Sequence, residues 1–320
     1  MTPFSPHRAL SALVGLLLIA SVAGCGDAST GDTPGVETVF GQTGMGPGEF
    51  SYPRAAVIGA NQRLYVVDKS ARIQGFSLDG RHVIEWRMPE FDAGKPTGLG
   101  VGPDGRVYAA DTHYARVVVF EADGRPAGQF GTRGSGPGQF IMPTDVVVDP
   151  DGFIYVSEYG GNDRVSKFAP DRRFVMSFGR PGAGPGEFER PQSLLLGNDG
   201  TLWIADACNH RICHFTREVE FLGAFGQSGT GPGELRFPYG VDWLSDGTLV
   251  VAEYGNNRLQ RFDTTGRPLG IWGRAGRRPG QLAYPWAVAV GPQDHLFVID
   301  SGNNRVQVLD PHVAGFWRLP

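Results

Sequence analysis

Six copies of one sequence unit follow one another from about residue 36 to the end of the 320-residue chain. Each copy contains a proline, an acid and an arginine that recur every 43 to 48 residues. The prolines are Pro53, Pro96, Pro143, Pro191, Pro238 and Pro285; the acids are Asp68, Asp111, Glu158, Asp206, Glu253 and Asp300; the arginines are Arg72, Arg116, Arg164, Arg211, Arg258 and Arg305. A fixed period of this length predicts a propeller or a solenoid.

Within each repeat, short apolar runs alternate with turns. In the fifth repeat the runs 239–244, 248–253, 258–263 and 268–272 predict four strands, which we call a to d. Asp-Gly pairs recur between strands a and b and are a strong hairpin signal. No helical period interrupts the strands. Because a single four-stranded sheet cannot bury both of its faces, six sheets placed radially predict an all-β, six-bladed β-propeller over residues 36–320.

The repeats share motifs as well as a period. A GxGPGxF turn precedes strand a in four repeats (GMGPGEF, GSGPGQF, GAGPGEF, GTGPGEL), is weaker in the sixth (GRRPGQL) and is absent from the second. Motifs of the type YVxD and NxRIxxF follow it. In these motifs the chain resembles the NHL-repeat family. The resemblance implies a six-bladed propeller but no single function, because NHL propellers serve as binding platforms, RNA readers and occasionally lyases.

The first 35 residues differ from the repeats. Arg8 precedes an uncharged stretch, residues 9–24, which is typical of a signal peptide and short for a membrane span. The stretch ends in Val22-Ala23-Gly24-Cys25, which resembles a bacterial lipobox. We therefore predict a lipoprotein signal peptide in 1–24, lipidation of Cys25 and a flexible tether in 25–35. The alternative is an ordinary signal peptide with an incidental cysteine.

This reading predicts an exported protein, anchored to a membrane and facing the periplasm or the cell exterior. The formal net charge is −4, so the chain lacks the basic surface that nucleic-acid binding requires. Three cysteines cannot build the RING domain that accompanies NHL repeats in ubiquitin ligases.

Cys208 and Cys213 form either a disulfide or two thiols. We expect a monomer whose partner is a protein, a peptide or a small molecule.

The acid and the arginine of each repeat are four to six residues apart, across the loop between strands b and c. Because the pair is present in all six repeats, we expect it to have a role in the structure of each blade. We therefore predict that the pairs are structural ion pairs, in which a carboxylate satisfies a guanidinium. The glycine turns are likewise predicted to be turns and not phosphate loops, since neither a helix nor a Gly-Lys-Ser/Thr motif follows them.

Function is expected where the repeats differ. Strand a starts and b–c loops lie on the same side of a propeller, so their variable residues meet at one mouth of the channel. Aromatic faces with a few polar groups suit a ligand site. The candidates are Arg54, Asp145, Gln192, Tyr239, Tyr254 and Trp286. Tyr239 and Trp286 are expected to form two walls of one pocket, with Trp286 facing solvent and Arg54 binding an anionic group. An ordinary surface with loop aromatics remains the alternative.

Metal catalysis is a second possibility that the family resemblance raises, since NHL-like lyases hold zinc through histidines and lactonase-type propellers use acidic ligands. His113 and His210 lie in equivalent loops, and Cys208, His210, Cys213 and His214 form a cluster of zinc-binding residue types. However, Cys213 and His214 are neighbours in a strand and should face opposite ways. Asp145 and Glu158 do not complete a lactonase ligand set. We therefore predict no cofactor, with zinc or calcium as the alternative.

The ring must also close. Residues 36–41 and 314–319 each have the pattern of a fourth strand for the sixth blade, and we favour the N-terminal segment, because joining the two ends closes the ring. The sequence thus predicts a lipid-anchored, extracytoplasmic propeller that acts as a binding scaffold. The alternatives are a metal-dependent lyase or hydrolase and a structural protein of the envelope.

Overall fold

The computed structural model describes residues 34–319 and contains six four-stranded antiparallel sheets, one for each repeat. Strands a to d of blade 1 are Pro53–Gly59, Arg63–Asp68, Arg72–Ser77 and His82–Arg87. Those of blade 2 are Gly98–Val101, Val107–Asp111, Arg116–Phe120 and Pro126–Phe130. Those of blade 3 are Met142–Val148, Ile154–Tyr159, Arg164–Phe168 and Phe174–Phe178.

Blades 4 to 6 follow the same order. Blade 4 contains Pro191–Leu196, Leu202–Asp206, Arg211–Phe215 and Phe221–Phe225. Blade 5 contains Pro238–Trp243, Leu249–Glu253, Arg258–Phe262 and Pro268–Trp272. Strands a to c of blade 6 are Pro285–Val290, Leu296–Asp300 and Arg305–Leu309. The remaining short elements are the parallel pair Thr132–Arg133 and Gln139–Phe140 and three 3-10 turns, Thr112–Tyr114, Pro292–Asp294 and Ser301–Asn303. The predicted six-bladed β-propeller is confirmed.

The fourth strand of blade 6 comes from the N-terminal side of the chain. Val36–Phe40 pairs antiparallel with Arg305–Leu309, as predicted. The C-terminal segment instead reaches the outer edge of blade 5, where Ile271 and Arg318 exchange two backbone hydrogen bonds. Phe316 stacks on Trp272 with a centroid distance of 5.4 Å. The two terminal segments therefore occupy different blades, and the ring is closed by hydrogen bonds between its two ends.

Apolar residues from facing sheets form a separate buried cluster between each pair of neighbouring blades. The last residue of the GxGPGxF turn is fully buried in five of these clusters: Phe50, Phe140, Phe188, Leu235 and Leu282. Blade 2 has no such turn, and Met88 is the corresponding buried residue of the cluster between blades 1 and 2. Strand a of blade 2 is also short and begins at Gly98, two residues after Pro96.

The side chain of the glutamate or glutamine in the glycine turn accepts a hydrogen bond from a backbone N–H of the same turn. In blade 1 the side chain of Glu49 accepts the backbone N–H of Gly46 at 2.8 Å, and in blade 5 Glu234 does the same for Gly231. These contacts support the prediction that the glycine motifs are turns. The predicted signal peptide 1–24, Cys25 and the predicted tether as far as residue 33 lie outside the described residues. Within 34–319 no helix has the length and apolar character needed to span a membrane.

Candidate functional site

All six predicted acid–arginine pairs are ion pairs, with nitrogen–oxygen distances of 2.5 to 3.5 Å. The acid side chains are at most 1% exposed. In blade 5, Arg258 also donates to the carbonyl oxygens of Thr230 and Gly231 in the glycine turn. Glu253 accepts the backbone N–H of Arg236, two residues before the strand-a proline.

The pairs of blades 1, 3, 4 and 6 make the same contacts to a glycine turn and to a backbone N–H before strand a. In blade 2, which lacks the turn, Arg116 donates hydrogen bonds to Asp111 and Gln129 instead. In five blades the pair therefore ties three segments together, which is a structural arrangement.

A second repeated contact joins neighbouring blades. In four blades the residue before the strand-a proline has φ between 50° and 61°, in the left-handed region; these residues are Tyr52, Arg190, Phe237 and Tyr284. The N–H of each donates to a side chain of the b–c loop in the preceding blade, at 2.6 to 3.1 Å; the acceptors are Asn304, Asp163, His210 and Asn257, in the same order. This conformation directs the large side chains of the four pre-proline residues toward the top of the channel.

Five aromatic side chains form a continuous cluster there, which we call the aromatic mouth: Tyr52, Tyr239, Tyr254, Tyr284 and Trp286. Tyr239 stacks on Tyr254 with centroids 4.6 Å apart, and Tyr254 lies against Tyr284 at 5.1 Å. Trp286 presents its ring edge-on to Tyr239 at 4.9 Å and to Tyr52 at 5.9 Å. The Tyr52 and Tyr254 hydroxyls are 3.1 Å apart. The cluster thus joins blades 5, 6 and 1 across the closure of the ring.

A glycine allows two of these rings to meet. A Cβ at Gly240 would lie 2.7 Å from the Cα of Ala287 in the neighbouring blade. Only glycine therefore permits this close approach of the inner strands of blades 5 and 6. Tyr239 and Trp286 precede Gly240 and Ala287 by one residue each, so the same approach brings their rings into contact.

Two arginines lie beside the aromatic mouth. The guanidinium of Arg54 is 5.0 Å from the centroid of the Trp286 ring. That of Arg190 lies 4.9 Å from Tyr159 and 5.1 Å from Tyr239. Arg190 also donates through Nε to the side-chain oxygen of Gln192 at 3.2 Å. Cation–π contacts at these distances hold both guanidinium groups against the walls of the mouth.

Below the mouth, the inner strands enclose a channel cavity of about 370 Å³. Two carboxylates line it. Asp145 accepts the backbone N–H groups of Val146 and Leu194, both at 2.9 Å, and burial raises its pKa to about 7. Asp242 bonds in the same way to the next blade, through the N–H of Val290 at 2.7 Å, and burial raises its pKa to about 6. Both carboxylates thus accept hydrogen bonds from backbone N–H groups of strand a. Strand a is the inner edge of each sheet, so its channel side has no neighbouring strand.

The structure brings most of the predicted site residues together. Arg54, Gln192, Tyr239 and Trp286 line the channel cavity, and Tyr254 stacks over Tyr239. Asp145 lines the same cavity but is engaged with the backbone of blade 4. The expectation that Trp286 faces solvent is wrong, because its side chain is only 7% exposed, and Tyr239 is equally buried. They pack against one another and against neighbouring rings outside the inter-blade clusters.

Sequence reasoning missed Tyr52, Arg190 and Tyr284, because it compared the repeats only after the strand-a proline. The same comparison one position earlier reads Tyr52, Lys95, Met142, Arg190, Phe237 and Tyr284. This variation within a repeated frame is the signal that would have identified them. Their left-handed backbone before proline has no signature in the residue types themselves.

The residues of the hypothetical zinc cluster have other contacts. His210 Nδ1 accepts the N–H of Phe237 at 3.1 Å, and His214 stacks on Trp203 at 3.7 Å. Cys208 and Cys213 are free thiols, and burial raises the pKa of Cys213 to about 12. In the described part of the chain, no group of three or more His, Cys, Asp or Glu side chains is arranged to hold a metal ion.

The fold and the repeated ion pairs define a six-bladed β-propeller built from one sequence repeat. Residues 188–215 and 282–309 match the NHL repeat, so the chain carries NHL repeats in blades 4 and 6. Solved propellers superpose on most of it. A streptogramin B lyase has a TM-score of 0.62 at 19% identity, over 85% of this chain and 96% of the lyase.

Two further structures show the same fold. A gluconolactonase from Xanthomonas campestris has a TM-score of 0.64 at 16% identity, over 87% of this chain and 95% of the enzyme. A chain of a nidogen–laminin complex has a TM-score of 0.55 at 18% identity, over 74% of this chain and 84% of that chain. At these identities the likeness concerns the fold alone, and it includes both enzymes and a protein–protein complex.

Proposed function

We propose that this protein is a lipid-anchored, extracytoplasmic NHL propeller that binds its ligand at the aromatic mouth. The observation that carries the proposal is the stack of Tyr239, Tyr254 and Tyr284, with Trp286 edge-on beside it, above the channel cavity. Tyr284 is 50% exposed although it is a large aromatic residue. Rigid aromatic faces supply contact area at low entropic cost and are enriched at binding sites.

Binding is tested by a thermal-shift screen of sugars, short peptides and aromatic acids on the purified protein, followed by titration of each hit. Tyr254→Ala and Tyr284→Ala should weaken a true hit by about 2 kcal/mol, as removal of an aromatic anchor commonly does. Phe91→Ala is the matched control, because Phe91 is an exposed aromatic outside the mouth. Hits that keep their affinity in both tyrosine variants would reject the mouth as the site.

Membrane attachment is a separate part of the proposal and is supported by the sequence Val22-Ala23-Gly24-Cys25. Cys25→Ser should move the protein to the soluble fraction, because each buried acyl methylene contributes about 0.8 kcal/mol to anchoring. Fractionation followed by a carbonate wash measures this. A variant that stays with the membrane would place the anchor elsewhere.

The alternative function is a metal-dependent lyase or hydrolase. Its support is the propeller fold, which this chain shares with the streptogramin B lyase and the gluconolactonase. Metal analysis of the purified protein separates the two proposals. A stoichiometric metal ion would favour the enzyme.

A further inference from the structure

Arg54 and Arg190 differ from the six strand-c arginines in having no acidic partner. Within residues 34–319, no carboxylate oxygen lies within the 4.0 Å limit of an ion pair with either guanidinium group. Arg54 makes one long hydrogen bond, 3.4 Å to the carbonyl oxygen of Lys95. Arg190 makes one side-chain hydrogen bond, to the neutral amide of Gln192. Asp163 accepts the backbone N–H of Arg190 at 2.7 Å but forms no ion pair with its guanidinium group. Two partly buried positive charges therefore stand at the channel mouth without an ion-pair partner.

Hydrogen-bond donors are also in excess there. Arg54 Nε and Trp286 Nε1 are both buried, and neither has an acceptor among the described residues. A buried donor without an acceptor destabilises the folded state, so this arrangement needs an explanation. An acceptor oxygen on a bound group would satisfy a donor of this kind.

The two charges act on one another. Burial lowers the pKa of Arg54, and the positive charge of Arg190 adds to this effect. The carboxylates of the same cavity do not serve as partners, because Asp145 and Asp242 accept backbone N–H groups of the adjacent blades. The two guanidinium groups beside the rings thus have no ion-pair partner, in a chain whose formal net charge is −4.

We propose that the aromatic mouth recognises a small anionic ligand, whose carboxylate or phosphate group is bound by Arg54 and Arg190 while an apolar or ring portion lies against Trp286 and Tyr239. This inference rests on the proposed function and names its ligand class. Arg is suited to the role, because its planar guanidinium donates two parallel hydrogen bonds to one oxyanion. Arg54, Tyr239 and Trp286 line the cavity of about 370 Å³, whose size matches a small ligand and not an extended polyanion.

The test is calorimetric titration of the full-length protein in detergent with benzoate, phenyl phosphate and the neutral analogue benzamide. At least one anion should bind saturably and about tenfold or more tightly than benzamide, which corresponds to about 1.4 kcal/mol. The tighter of the two anions identifies the group that is recognised. Equal affinity for benzamide, or no saturable binding of either anion up to tens of millimolar, would overturn the anionic class.

Charge variants locate the effect. Arg54→Gln and Arg190→Gln should each weaken the preferred anion about tenfold or more, and Arg54→Lys should retain part of the affinity because the charge remains. Arg267→Gln is the matched control, since that arginine is 73% exposed and lies on the surface. Thermal unfolding of each variant confirms that it is folded. Unchanged anion binding in both glutamine variants rejects the inference.

The two proposals fail in different ways. Binding of benzamide that depends on Tyr254 but not on Arg54 would keep the aromatic mouth as a ligand site and reject its anionic preference. Anion binding that depends on Arg54 but not on Tyr254 would keep the anion site and reject the aromatic stack as its wall.

Discussion

The imidazole Nδ1 of His210 accepts a 3.1 Å hydrogen bond from the backbone N–H of Phe237 in the next blade. Asn257 makes the same contact to Tyr284, and Asn304 makes it to Tyr52, through side-chain oxygens. One histidine thus performs a task that asparagine performs at equivalent positions in two other blades. The contact joins blades and positions the residue before the strand-a proline, so it has a structural role that is independent of any metal.

We predict that His210→Ala lowers the free energy of unfolding by about 1–2 kcal/mol, because a partly buried N–H loses its acceptor. His210→Asn should retain most of the stability, since asparagine occupies this position in blades 5 and 6. Chemical denaturation measures both variants. Equal destabilisation by Ala and Asn would show that the ring packing of His210 on Phe237, and not the hydrogen bond, matters.

The same contact predicts a dependence on pH. Burial and the nearby charge of Arg236 lower the pKa of His210. The folded state therefore binds fewer protons than the unfolded state, and its stability falls as the pH drops below the ordinary histidine value of about 6.5. His210→Asn should reduce this loss. Histidine titrates between about pH 5 and pH 8. Melting curves of the wild type and of His210→Asn over this range measure the difference.

Arg258→Met should destabilise the protein by about 3 kcal/mol, because it leaves the fully buried carboxylate of Glu253 without its charged partner. The paired variant with Glu253→Gln should recover part of this loss, since an amide costs less to bury than a carboxylate. Denaturation of the two variants gives the comparison. Lost ligand binding at unchanged stability would instead assign a functional role to the pair.

Asp145→Asn tests the channel carboxylate. The pKa of Asp145 is raised to about 7, so the folded state holds a proton that the unfolded state releases near its ordinary value of 3.8. The contribution of Asp145 to stability therefore decreases as the pH rises from about 4 to about 7, opposite in sign to that of His210. Asp145→Asn should remove this decrease and leave smaller ones from Asp242 and Asp111, whose pKa values are raised to about 6. Unfolding midpoints across that range measure it; an unchanged pH profile would contradict the assignment.

Phe316→Ala should cost about 3 kcal/mol, because the ring is 1% exposed and stacks on Trp272. Leu319→Ala is the control from the same segment: Leu319 is 53% exposed, and its replacement should change stability by no more than about 0.5 kcal/mol. Thermal unfolding of both variants provides the test. If both have the wild-type melting temperature, the C-terminal segment does not stabilise blade 5.

The repeat predicted the architecture because the residues that specify each blade make their contacts within that blade or the next one. A proline and an acid–arginine pair recur in each blade, and an Asp-Gly turn recurs in five of the six. Each acts within about one blade of its own position. The six ion pairs were predicted residue by residue for this reason. The positions of Arg54, Tyr239 and Trp286 at one mouth followed from the order of the strands.

The contacts of the candidate site form only when the ring of blades is closed. Tyr52 and Tyr254 are 202 residues apart in the chain, yet their hydroxyl groups are 3.1 Å apart because blade 1 follows blade 6 in space. The pairing of Val36–Phe40 with Arg305–Leu309 makes that contact possible. The sequence by itself determined the blades, their turns and their ion pairs, since local chemistry dictates them. Only the tertiary structure decided which side chains meet at the mouth and that two arginines there lack acidic partners, because closure of the ring and left-handed residues before proline set those distances.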